Sequence, residues 1–485
     1  AFALTFLMPI YPNFELLAEQ NKEKIEVGEN IKNKEEAKKE IKRLTSIASE
    51  FTEKGNFKKT ILTLEKILKL EQKYLDPNHP DIGHTLSWMG YIYLKENKFD
   101  KSEKFLLDGL NIIEIFYGEN HEELKSTLND LADLYLTKQD YKKAEDIFKR
   151  LLLIDKKIYG ENSSEYAITL NWLGEIYKEQ GKYSDAEENF KKSIYIFKNL
   201  KSEDNPDVST TLYYLAELYN IQGKSIKAEE IYNKILLIDK NIYGQNSIEY
   251  ADTIVNIGKL YLERDEFEKS ENYLNKSLSI FNKIPNIEPY QKLYSYLYLA
   301  ELYQKQGKYK DAEKFFLKIL NLDRKKFGED SSDYAITLDW LGELYKLQSK
   351  YDKAEKYLNK SISIKEKIHG EFHDEIATSL IFIGDLYHLK GEYQKSEEAF
   401  KRSKNIYINL FGENHPEVAN LLNWLGILYE DIGEYEKAEL SLKKALNIYE
   451  EFFGRTNPDI TIPLNWLAYY YLNQDKFSES EKYLN

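Results

Sequence analysis

The chain repeats itself every 42 residues, and few folds can obey that. A small residue preceded by a large apolar one falls at Ala48, Gly90, Ala132, Gly174, Ala216, Gly258, Ala300, Gly342, Gly384, Gly426 and Ala468. Three residues on stands an aromatic ring: Phe51, Tyr93, Tyr135 and so on to Tyr471. Twelve on stands another small residue or Thr, followed by Glu in ten of the eleven copies. Length alone would suggest about three domains. Eleven copies without a slip instead predict one unit stacked on itself, each copy burying the face its neighbour supplies.

Each copy reads as two helices. In the tenth, Leu422, Leu425, Gly426 and Tyr429 share one face of a helix from Pro416 to about Glu430. A turn at 431–434 leads to a second helix from Tyr435 to Phe453, which Gly454 stops. Helix entries are patterned too. The cap phase carries His79, His121, Ser163, Asn205, Ser247, Ser331, His373, His415 and Asn457, side chains suited to accept from a free helix N–H. Pro80, Pro206, Pro416 and Pro458 follow the cap, where proline loses no hydrogen bond. An acid stands two residues after each cap, favoured by the helix dipole. The copy near Pro289 departs, so its linker is expected to bend differently. Only 22 Gly and 10 Pro occur, too little turn punctuation for an all-β chain of 485 residues. Over this lies an 84-residue period: Leu151 to Gly160 recurs as 235–244 and 319–328, and Tyr166 to Gly174 as 334–342. One continuous core is expected.

The pattern resembles the tetratricopeptide repeat, a helix-turn-helix of 34 residues with small, Gly/Ala, Tyr and Ala phases. The longer period, with Gly-Glu-Asn-His-Pro-Glu-Val-Ala at 412–419, is similar to the variant of kinesin light chains and nephrocystin-like proteins. The resemblance covers 34–485 and implies an all-α, right-handed α-solenoid of about eleven repeats. It implies a non-catalytic scaffold that holds a peptide or protein segment in its concave groove. The alternative is the sensor or regulatory arm of a larger effector, with a protease-like or nucleotide-binding domain outside this chain. Kinesin light chains also carry a heptad segment, which this chain lacks, so no kinesin role is implied. The chain stops inside the second helix of the last copy, which reads as a fragment.

Residues 1–33 stand apart from the repeat. Ala1 to Ile10 are apolar, and a polar run begins at Glu19. This segment reads either as the remnant of a secretory signal peptide or as a helix packed on the first repeat. Localisation therefore stays open between cytoplasmic and exported. No stretch is long enough to span a membrane. The formal net charge of −14 disfavours nucleic acid as a partner. Cysteine is absent, which excludes disulfides, thiolate nucleophiles and Cys-ligated zinc.

In the resembled family the first helices line the groove, with side chains three before the small residue, one after it and four after it facing the ligand. The first phase gives Asn129, Asn171, Tyr213, Asp339, Asn423 and Asn465, with Val255, Leu297 and Ile381 interrupting it. Asn there resembles the peptide-contacting Asn of kinesin light chains. The second phase gives Asp133, Glu175, Glu217, Glu301, Glu343 and Asp385. The third is mixed: Lys178, Asn220, Gln304, Lys346 and His388. Six acids along one phase read either as favouring a basic partner or as the solvated face of an acidic protein, and Glu175, Glu217, Glu301 and Glu343 are expected to lie off the packing face. All five Trp (Trp88, Trp172, Trp340, Trp424, Trp466) share a phase that reads as inter-repeat packing, with a row of peptide anchors as the alternative. No phosphate loop, HExxH helix or nucleophile elbow is present. Four of the seven His occupy the cap phase, one per repeat, so no converging metal site or cofactor is expected. Acids that recur in every copy likewise argue against a catalytic site.

Overall fold

The computed structural model describes residues 33–455, 457 and 460–484. The segment read as a signal-peptide remnant, apart from Asn33, lies outside them, as do Pro458 and Asp459. The helices come in pairs: α1 (Lys34–Glu53) with α2 (Phe57–Tyr74), α3 (Pro80–Lys95) with α4 (Phe99–Tyr117), α5 (Leu124–Thr137) with α6 (Tyr141–Ile158), and α7 (Ser164–Glu179) with α8 (Tyr183–Leu200). Then come α9 (Pro206–Ile221) with α10 (Ser225–Ile242), α11 (Ile248–Glu263) with α12 (Phe267–Phe281), and α13 (Leu293–Lys305) with α14 (Tyr309–Lys326). The last pairs are α15 (Ser332–Leu347) with α16 (Tyr351–His369), α17 (Asp374–Leu389) with α18 (Tyr393–Phe411), α19 (Pro416–Asp431) with α20 (Tyr435–Phe453), and α21 (Thr461–Asn473) with α22 (Phe477–Leu484). No strand occurs among the described residues. The departure near Pro289 is a 3-10 turn, Pro289–Lys292, which shortens α13. Most caps behave as read: Ser163 accepts from the Tyr166 N–H, Asn205 from Asp207, and His79, His373 and His415 through Nδ1 from the residue two on. His121 and Asn457 do not cap their helices, since α5 and α21 start later, after Glu123 and Ile460, without a side-chain cap bond.

The recurring small residue is where the two helices of a pair cross. A Cβ on Gly174 would stand 2.4 Å from Cε1 of Phe190, and one on Gly342 or Gly426 would stand 2.7 Å from Leu358 or Leu442. The partner is always sixteen residues further on. That same residue then faces the next repeat. Phe148 stacks on Trp172 at 5.8 Å, Phe400 on Trp424 at 5.7 Å, and Phe190 on Tyr214 at 5.8 Å. The Trp phase is thus inter-repeat packing in these copies. Gly174→Leu is expected to cost about 1–3 kcal/mol through overpacking, seen as a lower denaturant midpoint with the loss centred on its own repeat.

The other consensus residues join repeat to repeat. The Tyr three after the small residue donates its hydroxyl to the recurring Glu of the preceding copy: Tyr135 to Glu103 (3.0 Å), Tyr345 to Glu313 (2.6 Å), Tyr429 to Glu397 (2.7 Å). Five further pairs repeat the bond, from Tyr219–Glu187 to Tyr471–Glu439. The 84-residue period has its own buried bond. Thr169, Thr253 and Thr337 donate at 2.6 Å to Asp155, Asp239 and Asp323, at the end of the preceding second helix.

The expected continuous core is met in part, since three of its four clusters meet through shared side chains such as Tyr177, Tyr273 and Phe315. Buried apolar residues form four clusters, of which the largest joins residues 94–176 to 297–471 and bypasses most of the stretch between. The reason is that the superhelix closes a turn upon itself. Phe99, opening α4, stacks on Phe411, closing α18, at 5.6 Å and 9°. Phe99 is only 4% exposed, whereas Tyr393, Tyr435 and Phe477 in the same phase are 40, 49 and 64% exposed. His415 is buried beside them. Its Nδ1 accepts from the Glu417 N–H, so Nε2 carries the proton and donates to the Lys138 carbonyl at 3.1 Å. The second and third repeats therefore meet the ninth and tenth.

Burial drives the His415 pKa down to about 4, against about 6.5 for a solvated imidazole. A lowered histidine pKa gives stability that is complete above about pH 6.5 and is lost as pH falls towards 4. Acidification over that window should loosen this contact, and the scattering radius of gyration should grow. His415→Asn, which keeps a cap residue, should abolish that part of the pH response. Phe411→Ala should expand the molecule at neutral pH with helix content unchanged.

Candidate functional site

The first helices line the concave side. Neighbouring first helices touch (α3 with α5, α7 with α9, α11 with α13, α15 with α17, α19 with α21), while the second helices fan outward. The two acid- and amide-bearing phases lie on this inner side, but many of their members are tucked between helices rather than spread on open surface.

The phase three before the small residue divides. Asn129 is exposed and Tyr213 half-buried, while Asn171, Asp339 and Asn423 are 9, 2 and 3% exposed. Asn171 Nδ2 donates to Thr211 Oγ1 on the next first helix at 2.9 Å. Asp339 accepts from Lys365 Nζ and Ser379 Oγ, both at 2.7 Å. Asn423 makes no hydrogen bond through either amide atom.

Glu175, Glu217, Glu343 and Asp385 of the acid phase are ion-paired within the array. Glu175 meets Lys178 at 2.6 Å, Lys346 bridges Glu343 (2.7 Å) and Asp385 (2.5 Å), and Glu217 accepts from Lys259 at 3.1 Å and from the buried Tyr232 hydroxyl. The third phase thus supplies two of the cations, Lys178 and Lys346. Burial nevertheless outweighs these partners. Asp133, Glu175, Glu301 and Glu343 all have pKa values raised by desolvation, which nearby lysines offset only in part. The expectation that these positions lie off the packing face is corrected at Glu175, which is buried, and at Glu217, Glu301 and Glu343, which are half-buried, as Asp133 and Asp385 also are. A lysine at Glu175 would bury a second cation against Lys178, so charge reversal there disturbs the fold as well as the groove.

Lys365 was not legible as part of this site. It lies in the second-helix phase where Asp155, Asp239 and Asp323 stand in alternate copies, and it reaches Asp339, Ser379 (2.9 Å) and the Glu375 carbonyl (3.3 Å). The ion pair is fully buried. Breaking it alone leaves a charge without compensation. Lys365→Met should therefore destabilise the chain by about 3–5 kcal/mol. Lys365→Met combined with Asp339→Leu should recover most of that loss, and chemical denaturation of the two singles and the double measures the coupling.

The sequence matches the tetratricopeptide repeat family model over residues 81–157, 126–199, 207–283, 292–367, 337–408 and 375–451. Among solved structures, BtubC from P. vanneervenii is similar at 21% identity and a TM-score of 0.40, over 50% of this chain and 94% of that one. A Rap protein complexed with Competence and Sporulation Factor is similar at 16% identity and a TM-score of 0.44, over 77% and 99%. A signal transduction ATPase with numerous domains and a tetratricopeptide repeat sensor, from Pyrococcus horikoshii, is similar at 18% and 0.43, over 87% and 64%. No curated protein matches the chain. The matched repeats cover most of the sequence, and the chain belongs to the tetratricopeptide repeat family.

Proposed function

We propose that this array is a non-catalytic scaffold whose concave face holds an extended peptide or protein segment of basic character. The residues assigned to it are Asn129, Asp133, Asn171, Glu175, Tyr213, Glu217, Glu301, Asp339, Glu343, Asp385 and Asn423. One observation carries the reading. Buried polar atoms without a protein partner recur along these inner phases: Asn171 Oδ1, Glu175 Oε1, Glu343 Oε1 and both amide atoms of Asn423. A buried polar atom left unpaired is costly, and native chains rarely keep several in one region without a ligand or water to meet them. An extended backbone offers alternating donors and acceptors, which an amide such as Asn423 can match on both sides.

The raised carboxylates support a cationic segment. A carboxylate whose charge is under-compensated gains when a Lys or Arg side chain approaches, and its pKa falls on binding. Binding then releases protons, so affinity should weaken as pH drops through the weakly acidic range. The same contacts would serve an array that acts as the regulatory arm of a larger protein.

The test is anisotropy of labelled basic, neutral and acidic peptide pools against this chain. Basic peptides should bind tightest, more weakly with rising salt. Glu301→Gln and Asp385→Asn should each weaken binding by about two- to fivefold, the worth of a partly screened ion pair. Unchanged helix content in both variants separates this from unfolding. Equal binding of all three pools overturns the basic partner, and no binding by any overturns the groove.

A further inference from the structure

We propose that the linker between the eighth and ninth repeats is a divalent transition-metal site, with His369, His373 and Glu375 as ligands and zinc as the best-fitting ion. One ligand atom from each lies within 4.8 Å of the others, and these three form the only such grouping of His and acids among the described residues.

The sequence context separates this linker from its siblings. Where a linker carries Gly, the preceding residue is Tyr117, Tyr159, Tyr243, Phe327, Phe411 or Phe453, and here alone it is His369. Elsewhere that ring stacks on a cap histidine, as Tyr117 does on His121 (4.5 Å) and Phe411 on His415 (4.4 Å). His369 keeps the stack on His373 at 3.8 Å, but it brings a second imidazole nitrogen where the others bring hydrocarbon or phenol. The cap position and the acid two residues after it, common to most copies, then complete a His-x3-His-x-Glu set.

The surroundings suit a metal. Glu375 Oε2 is buried without a hydrogen-bond partner and lies 3.8 Å from His369 Nε2. His373 Nδ1 lies 2.9 Å from Asp374 Oδ1. A proton on Nδ1 donated to that carboxylate leaves Nε2 as the ligand atom, the carboxylate–histidine arrangement that orients metal-binding imidazoles. It replaces the longer 3.3 Å contact from the Glu375 N–H. Two imidazoles and one carboxylate are a zinc donor set, with water or a partner's side chain in the fourth place. Zinc bonds of about 2.0–2.1 Å set tetrahedral donors roughly 3.3 Å apart. Binding therefore draws the trio together, turns the two rings out of their parallel stack, and displaces the Ser332 hydroxyl that now bonds His369 Nε2 at 2.7 Å. Because His369 ends α16 while His373 and Glu375 open α17, the metal would clamp two successive repeats across their linker.

The experiment is calorimetric titration of the chelator-stripped chain with zinc, and with cobalt(II) for its visible spectrum. The expected result is one high-affinity equivalent, a tetrahedral cobalt spectrum, and a higher thermal midpoint with zinc. His369→Tyr installs the residue of other linkers, so it should fold normally and lose at least about 100-fold in affinity. Asp374→Asn should cost about 10–100-fold by loosening the His373 imidazole. His373→Asn, which keeps a cap residue, should also abolish binding. Absence of zinc binding overturns the proposal. So does a stoichiometric site that survives both His369→Tyr and His373→Asn, since the metal would then sit on other histidines.

Discussion

Everything in this molecule hangs on the residue sixteen positions after the small one. It presses on a Gly or Ala of its own repeat, as Phe190 does on Gly174. It then offers its other side to the following first helix, as Phe148 and Phe400 do to Trp172 and Trp424. One side chain therefore sets both the spacing within a helix pair and the seating of the next pair. Because neighbours share it, the contact propagates along the chain as a series of nearest-neighbour terms. Ala48, Ala132, Ala216, Ala300 and Ala468 replace Gly in half of the series without breaking it. A single methyl is absorbed by the backbone spacing, and anything larger is not.

The fold was legible because it is written many times. Cap, crossing and turn positions could be checked against one another across copies, and the tenth pair falls at Pro416–Asp431 and Tyr435–Phe453, one residue from the reading at one end. The site was less legible, for a physical reason. A helical wheel says which way Asp339 points but not how close the neighbouring first helix comes. That distance depends on curvature, which is summed over many copies. Asp339 points inward as read, yet it is sealed by Lys365 and Ser379. Glu175 similarly faces the inner side and is buried there. The recurring Glu was visible as a pattern, but its partner, a Tyr 32 residues on in the next copy, becomes evident only when repeats are stacked.

Curvature also explains the one contact that no copy by itself encodes. Phe99 and Phe411 are ordinary members of their phases, and neither sequence position announces a long-range partner. They meet because seven repeats of rotation bring the second copy beneath the ninth. The consequence is a superhelical turn tied together between the second and ninth repeats. Under the proposed function, a segment entering it would meet first helices held at fixed separation, with less ordering left to be done on binding.

The duplication in pairs adds a second layer to this argument. Alternate copies carry a buried Asp bonded to Thr, at Asp155–Thr169, Asp239–Thr253 and Asp323–Thr337. In the copy that follows the last of these, the same two phases hold Lys365 and Ser379, and the charge is inverted. Burial raises the carboxyl pKa at two of these junctions, Asp239 and Asp323, the latter to about 6. Lys365 takes Asp339, from the phase three before the small residue, as its counter-ion. An inner-face position has thereby been taken over by packing at one junction of the array. The phases assigned to the proposed groove are the same ones that repeat-to-repeat packing draws on, so a repeat that seals one of them, as Asp339 is sealed, gives up part of that surface.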